Sequence, residues 1–266
     1  MAGSLNRDAL LAHKRLRDLP RARARMVEQL AQQGFATHVV RVLEEVPKHA
    51  FVPTAWSRLA YSRYNLRTEA GVLPAPHTTA LIMHYLQPGP RAHLLEAGTG
   101  TGYQTLLLAL LGATVVTVAA RDLDGTSDTI VASGLTNVDQ RYGDPTAGWP
   151  QAQPFDGIAV NLALPAIAPG LVEQLKPDGG RMVVPVGNPG PGSQRLLLVQ
   201  RHGGDVHVTD LGAAYFPRSA QQSGTAAATV LGGEAMEGAA VPIIEGAAVP
   251  IMEGAAAAVE GDRLDR

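Results

Sequence analysis

The stretch that decides the fold is residues 94–104, which read Leu-Leu-Glu-Ala-Gly-Thr-Gly-Thr-Gly-Tyr-Gln. A short apolar segment runs into three alternate glycines and then into a Leu-rich segment, which is the pattern of a strand, a tight turn and a helix. A dinucleotide fingerprint needs its third glycine at position 103, where Tyr103 stands, and no Gly-Lys-Ser/Thr follows for a phosphate-binding loop. The pattern that remains is E-x-G-x-G-x-G, from Glu96 to Gly102.

This glycine turn favours a ligand that lies directly on the backbone. Three alternate glycines weaken a strand-to-helix unit unless something approaches closely. S-adenosylmethionine suits such a turn, because its amino acid and ribose need a surface without Cβ atoms. Glu96 is predicted to face the sulfonium and ammonium charges of that ligand. A Gly-rich turn without any ligand remains the alternative at this point.

Composition excludes several other classes of protein. The 266 residues include 22 Lys+Arg and 24 Asp+Glu, a net charge of −2, which argues against bulk nucleic-acid binding. The absence of cysteine excludes disulfide frameworks, thiolate zinc sites and Cys nucleophiles, and no metal site is predicted.

The sequence contains no clear targeting or membrane signal. Arg, Lys and Asp interrupt the first 26 residues, so no secretory signal is predicted and a cytoplasmic location is expected. Residues 97–120 carry no charge, but four glycines divide them into a turn, a Leu-rich part and a β-branched part. This segment therefore favours a strand-turn-helix-strand unit over a membrane span.

From residue 91 onward, short apolar runs alternate with helix-like segments, which is typical of βαβ units. Predicted strands cover residues 93–96, 114–118, 157–161 and 181–186, with residues 194–199 as a later antiparallel strand. The first four are almost continuously apolar, as strands buried on both faces are. The sequence therefore predicts an α/β fold with a mostly parallel sheet and an antiparallel edge strand.

Two flanking regions differ from this α/β part, which we place at residues 66–218. Residues 1–65 have apolar residues at helical spacing and are predicted to form a helical N-terminal region. Residues 219–266 are rich in Ala and Gly and contain an eight-residue repeat from residue 236 onward. Such repeats predict a flexible tail. A docking segment for another protein and a tethered peptide substrate are the alternatives.

A second acidic residue is expected at the end of the next strand, where it would accept hydrogen bonds from ribose hydroxyls. That strand ends at Ala119 and Ala120, so no carboxylate stands at the expected place. Asp122, or Asp124 beside it, is predicted to reach in from the following loop. Without it the site loses charge-assisted hydrogen bonds of about 1.5–3 kcal/mol each.

Several ordered segments make the chain resemble the protein-L-isoaspartate O-methyltransferase family over roughly residues 26–218. They are residues 46–53, 60–61, 75–77, 95–104, 143–144, 148–150, 154–156, 173–177, 179–181 and 184–187. The resemblance implies a seven-stranded, Rossmann-like class I methyltransferase sheet with S-adenosylmethionine as methyl donor. It also implies methylation of a carboxylate of a peptide or protein, classically the α-carboxyl group of an isoaspartyl linkage.

The resemblance also implies the residues of the cofactor site. The methionine and ribose side falls on Glu96, Gly98, Thr99, Gly100 and Gly102, and the adenine side on Asp144 and Pro145. Gly-Asp-Pro is also a common turn in which the aspartate bonds to its own backbone, so both interpretations of Asp144 stay open.

Two departures from the family lie at functional positions. Residues 72–74, Val-Leu-Pro, replace a Thr-Ile-Ser-like stretch whose hydroxyl contacts the substrate carboxylate, and Ala119 replaces the usual ribose-binding glutamate. Pro74 lacks a backbone donor as well. These departures support an alternative function, a binding module that keeps the methyltransferase fold without turnover. Within the enzyme hypothesis, repair of isoaspartate and tailoring of a specific peptide both remain open.

Methyl transfer to a carboxylate needs positioning more than a strong base, because an ionised carboxylate is already nucleophilic. A near-attack alignment accounts for about 7–11 kcal/mol of such a barrier. The candidates to line the reacting carboxylate are His77, Thr78 and Thr79 after the proline-marked turn, and Asn161 at the C-terminal end of a strand.

Overall fold

The computed structural model describes residues 4–121, 125–188, 193–216 and 229–231. Within these ranges the helices are α1 (Arg7–His13), α2 (Pro20–Gln32), α3 (Thr37–Glu45), α4 (Pro76–Leu86), α5 (Tyr103–Leu110), α6 (Thr126–Ala132) and α7 (Pro169–Glu173). The strands are β1 (Asn65–Thr68), β2 (Gly71–Leu73), β3 (His93–Ala97), β4 (Thr114–Ala119), β5 (Val138–Tyr142), β6 (Gly157–Val160), β7 (Asp178–Gly187), β8 (Gln194–His202), β9 (Asp205–Ala214) and β10 (Thr229–Leu231).

Seven strands form the main sheet in the order β5-β4-β3-β6-β7-β8-β9. The pairs from β5 to β7 are parallel, and β8 and β9 are antiparallel to their neighbours. The predicted α/β fold is confirmed, and the five predicted strands correspond to β3, β4, β6, β7 and β8. Because β4 lies on one side of β3 and β6 on the other, a crevice opens at the carboxyl end of β3.

β5 and β9, the two edge strands of this sheet, are not among the predicted strands. β5 reads Val-Asp-Gln-Arg-Tyr, and all five residues are half-buried or exposed. An edge strand pairs on one side only and carries more polar residues. Its sequence therefore lacks the apolar run by which the inner strands were predicted.

A hairpin of β1 and β2 lies outside the main sheet, and β10 pairs antiparallel with β1. A Cβ added to Gly71 in this hairpin would lie 3.7 Å from the Cα atom of Gly100, so the hairpin covers the glycine turn. β10 belongs to the tail region, residues 219–266. The eight-residue repeats lie outside the described residues, and their flexibility and docking role stay predictions.

The N-terminal helices pack in the same apolar cluster as the helices that cover the sheet. Its members include Met26 and Leu30 of α2, Leu43 of α3, Met83 of α4 and Leu107 of α5. The N-terminal helices thus differ from the α/β part in sequence pattern but belong to the same hydrophobic core. None of the helices in the described ranges is long and apolar enough to cross a lipid bilayer.

Candidate functional site

The glycine turn connects the carboxyl end of β3 to the start of α5. Gly98, Gly100 and Gly102 have φ angles of 101°, 54° and 80°, in the left-handed region that favours glycine. The backbone N–H groups of Gly98 and Thr99 donate to the Val118 carbonyl at 2.9 and 3.2 Å, which ties the turn to the end of β4. An added Cβ would lie 3.2 Å from Leu162 at Gly98 and 3.2 Å from Thr126 at Gly102, so close packing also requires glycine at these two positions.

The carboxylate of Glu96, near the end of β3, is fully buried. Its Oε2 accepts hydrogen bonds from the hydroxyls of Thr105 at 2.5 Å and Thr117 at 2.6 Å, and its Oε1 accepts one from Asn161 Nδ2 at 2.9 Å. Burial raises the pKa of Glu96 to about 7, while these three hydrogen bonds act in the opposite direction. The structure thus turns Glu96 towards protein groups of α5, β4 and the end of β6.

Asn161 extends this network to α5. Its Nδ2 donates to Glu96 and also to the Gly98 carbonyl at 3.0 Å, so its Oδ1 faces the other way and accepts from Gln104 Nε2 at 2.8 Å. Gln104 Oε1 consequently points away from Asn161. Among the described residues it is a buried side-chain oxygen without a hydrogen-bond partner. A buried, unpaired acceptor beside the glycine turn provides a place for a donor group of a ligand.

The end of β4 carries no carboxylate, unlike the end of β3, where Glu96 lies. β4 ends at Ala119, and a narrow cleft beside it is lined by Thr99 and Gly100 of the glycine turn and by polar residues of β5 and α6. Asp122 and Asp124 lie outside the described residues, so their predicted role stays a prediction.

The predicted adenine side directly follows β5. The Gly143 N–H donates to the Ala119 carbonyl at 2.9 Å, which places this turn beside the end of β4. Asp144 is exposed, and its Oδ1 accepts from the backbone N–H and the hydroxyl of Thr146 at 2.9 and 2.8 Å. Pro145 is buried. Asp144 therefore forms the local turn considered in the sequence analysis, at a position next to the cleft.

The other predicted residues begin α4. His77 Nδ1 lies 2.9 Å from the Oε1 atom of Gln33, the residue that directly follows α2, and burial lowers the pKa of His77. The buried Thr79 hydroxyl donates to the Ala75 carbonyl at 3.3 Å, and Thr78 is half-buried on the same helical turn. The structure thus directs the His77 ring towards the N-terminal helices and the Thr79 hydroxyl into α4.

A buried lysine fixes the segment before α4, and the sequence analysis did not identify it. Lys48 Nζ donates to the Pro74 carbonyl and lies 5.5 Å from the ring centre of Tyr103 in α5. Lys48 is only 1% exposed, and burial lowers its pKa well below the usual value. No sequence pattern indicated this role, because lysine is almost always exposed.

Comparisons with known proteins identify the family. The model of the protein-L-isoaspartate(D-aspartate) O-methyltransferase family matches residues 21–222. A protein-L-isoaspartate O-methyltransferase of Pelotomaculum thermopropionicum is 38% identical over 200 residues, covering 73% of this chain and 86% of that protein. The chain belongs to this family. A second relative, from Trichlorobacter lovleyi, is 37% identical over 211 residues and covers 76% of this chain and 94% of its own length.

Solved structures of methyltransferases share the fold. A protein-L-isoaspartate O-methyltransferase superposes with a TM-score of 0.63 at 21% identity, covering 74% of this chain and 65% of that one. A candidate member from Plasmodium falciparum, in complex with S-adenosyl-L-homocysteine, gives 0.60 at 16% identity and covers 73% and 95%. At these identities the likeness supports the fold alone.

Family membership confirms the predicted enzyme class, a carboxyl O-methyltransferase that uses S-adenosylmethionine. The residues of the site fit this donor on two observations. The glycine turn offers the backbone of Gly100, where an added Cβ would lie 3.7 Å from its nearest neighbour, the Ala70 carbonyl. Gln104 Oε1 is a buried acceptor without a protein partner, as an ammonium group of a ligand requires.

Proposed function

We propose that this methyltransferase acts on the α-carboxylate of isoaspartyl residues in peptides and proteins. The observation that carries the proposal is the close approach of the β1–β2 hairpin to the glycine turn, 3.7 Å from an added Gly71 Cβ to Gly100 Cα. This approach supports an acceptor site formed by residues 72–74, which directly follow Gly71, and by the start of α4.

The start of α4 supports binding of a carboxylate there. The first hydrogen bond of the helix runs from the Thr79 N–H to the Ala75 carbonyl at 3.0 Å. The N–H groups of His77 and Thr78 precede it and have no partner within the helix. Such a helix start attracts a negative charge. We therefore assign the backbone of His77 and Thr78, and not their side chains, to the acceptor.

The chemistry divides between the donor and the chain. S-adenosylmethionine, when bound, supplies a methyl group activated by its sulfonium charge. The chain aligns the two partners, which accounts for about 7–11 kcal/mol of a comparable barrier. Gln104 Oε1 holds the donor's ammonium group, Asn161 fixes the orientation of Gln104, and the hairpin lies against Gly100 of the glycine turn.

The test compares two peptides and two glycine variants. The full chain is incubated with labelled donor and with one peptide in its isoaspartyl or its aspartyl form; methylation of the isoaspartyl form alone is expected. Gly100→Ala adds a methyl group at φ 54°, and Gly203→Ala adds one at φ 61° in the turn between β8 and β9. Each is expected to lose about 1–2 kcal/mol of stability. Only Gly100→Ala is expected to lose methylation, by about fivefold to a hundredfold.

Two results would contradict this proposal. Equal methylation of both peptides would indicate a tailoring enzyme that accepts side-chain carboxylates. Binding of S-adenosylhomocysteine without methylation of either peptide would favour the binding module, the alternative that Pro74 and Ala119 support.

A further inference from the structure

The strand next to β4 places two polar side chains at the end where a ribose-binding carboxylate is missing. In the parallel pair of β4 and β5, Thr117 lies opposite Gln140 and Ala119 opposite Tyr142. Paired residues of adjacent strands project from the same face of a sheet. Gln140 and Tyr142 therefore share a face with Ala119, and both line the cleft beside the glycine turn.

A serine of α6 connects these two side chains. Ser127 Oγ donates to Gln140 Oε1 at 3.0 Å and lies 2.8 Å from Tyr142 Oη. Because the Ser127 hydroxyl carries a single proton, Tyr142 is the donor in the second bond. We call Ser127, Gln140 and Tyr142 the polar triad. Each acceptor oxygen of Gln140 and Tyr142 retains lone-pair capacity for a further hydrogen bond.

The triad itself is uncharged, and its hydrogen-bonding groups match a neutral diol. Arg121 and Arg141 line the same cleft, whereas none of its described lining residues is acidic. Arg141 is paired with Asp139 at 2.7 Å. The Gln140 amide offers an acceptor and a donor on adjacent atoms, and a vicinal diol can match both, since each hydroxyl donates and accepts. Tyr142 is 52% exposed and lines the cleft.

We propose that the polar triad binds the 2′- and 3′-hydroxyl groups of the cofactor ribose, in place of the glutamate that Ala119 replaces. This inference rests on the cofactor assignment and adds residues that the family resemblance does not supply. The ribose is then held by neutral hydrogen bonds from β5 and α6, and not by a charge at the end of β4.

The test measures binding without turnover. S-adenosylhomocysteine and its 2′,3′-dideoxy analogue are titrated calorimetrically into the full chain and into Gln140→Leu, Tyr142→Phe and the control Gln151→Leu, which changes an exposed glutamine elsewhere. We expect the unmodified chain to prefer the natural ligand by about tenfold. Gln140→Leu should reduce that preference to about twofold, because it lowers the affinity for the natural ligand only. Tyr142→Phe should reduce the preference less. Gln151→Leu should leave both affinities unchanged.

Three results would overturn the inference. Equal weakening of both ligands by Gln140→Leu would indicate a general packing effect, and an unchanged preference would remove Gln140 from the ribose site. Loss of the preference in Asp122→Asn, with Gln140→Leu unaffected, would assign the ribose to Asp122. Failure of the isoaspartyl assay would not affect these measurements, because binding of S-adenosylhomocysteine requires no acceptor peptide.

Discussion

The strands β3 and β4 lie side by side and end at the same crevice, but their ends are built differently. β3 carries Glu96, a buried carboxylate that accepts three hydrogen bonds from protein groups. β4 ends in Ala119, beside which the polar triad contributes neutral groups at the surface. At the end of β3 the carboxyl group of Glu96 has a structural role, because it orients Asn161 and, through Asn161, Gln104. At β4 the ligand contacts that we propose are distributed over neighbouring elements.

A carboxylate at the end of a strand can have two roles, binding of a ligand and stabilisation of the protein around it. Replacing a carboxylate that contacts a cationic ligand mainly weakens binding of that ligand. A carboxylate buried in a hydrogen-bond network affects the stability of the fold and the geometry of the residues around it. Substitutions at Glu96 and at Ala119 therefore distinguish the two roles.

The largest expected effect is on the pH dependence of stability, through Glu96. Its pKa of about 7 in the folded chain exceeds the ordinary 4.5, so the folded state binds more protons between these values. Stability should therefore fall as the pH rises from about 4.5 to 7, by on the order of 3 kcal/mol. Glu96→Gln cannot ionise and should lack this part of the fall. Urea unfolding at pH 5, 6, 7 and 8 measures the difference.

The control for this prediction is Glu173→Gln, at an exposed site at the end of α7. It should follow the pH profile of the unmodified chain. If Glu96→Gln also ran parallel to the unmodified chain at every pH, the carboxylate would not be held as the structure shows.

The inner strands could be predicted from the sequence, whereas the direction of Glu96 could not. β3, β4 and β6 are continuous apolar runs because helices cover both faces of the sheet. Burial on both faces is therefore visible directly in the sequence of each strand. The direction of Glu96 depends on Thr105, Thr117 and Asn161, which come from three separate elements. No local pattern contains that information.

The same limit applies to the residues that the sequence analysis missed. Gln104 stood in the quoted stretch, but its unpaired oxygen follows from the orientation of Asn161, 57 residues away. Gln140 and Tyr142 belong to an edge strand without an apolar pattern, and their position beside Ala119 follows from strand register. The glycine turn was recognised because its backbone conformation requires glycine, which is a local property.

The next effect concerns the methionine side of the cofactor and Gln104. Gln104→Leu removes the unpaired acceptor and should lower the affinity for S-adenosylhomocysteine by about tenfold or more, as expected for loss of a hydrogen bond to a charged group. A desamino analogue, which lacks the ammonium group, should bind the variant and the unmodified chain equally. Calorimetric titration of both ligands measures this; a similar loss for both would show that Gln104 acts through packing.

The smallest effect is expected from returning a carboxylate to the end of β4. Ala119→Glu in the unmodified chain should improve binding of S-adenosylhomocysteine by less than about threefold, because the polar triad already occupies the ribose hydroxyls. In the Gln140→Leu background the same change should gain about tenfold, since the hydroxyls then lack their bonds to the Gln140 amide. Unequal gains of this kind are the measure of coupling between neighbouring sites.

The matched control places the same charge on the far edge of the sheet, as Ala213→Glu in β9, where residue 213 is exposed. It should change neither affinity, which separates contact with the ribose from a general attraction to the ammonium group of the ligand. Equal gains for Ala119→Glu in both backgrounds would mean that the triad and the new carboxylate bind different groups. A larger gain after loss of Gln140 would instead show that β5 performs, with neutral groups, the task expected of a carboxylate at the end of β4.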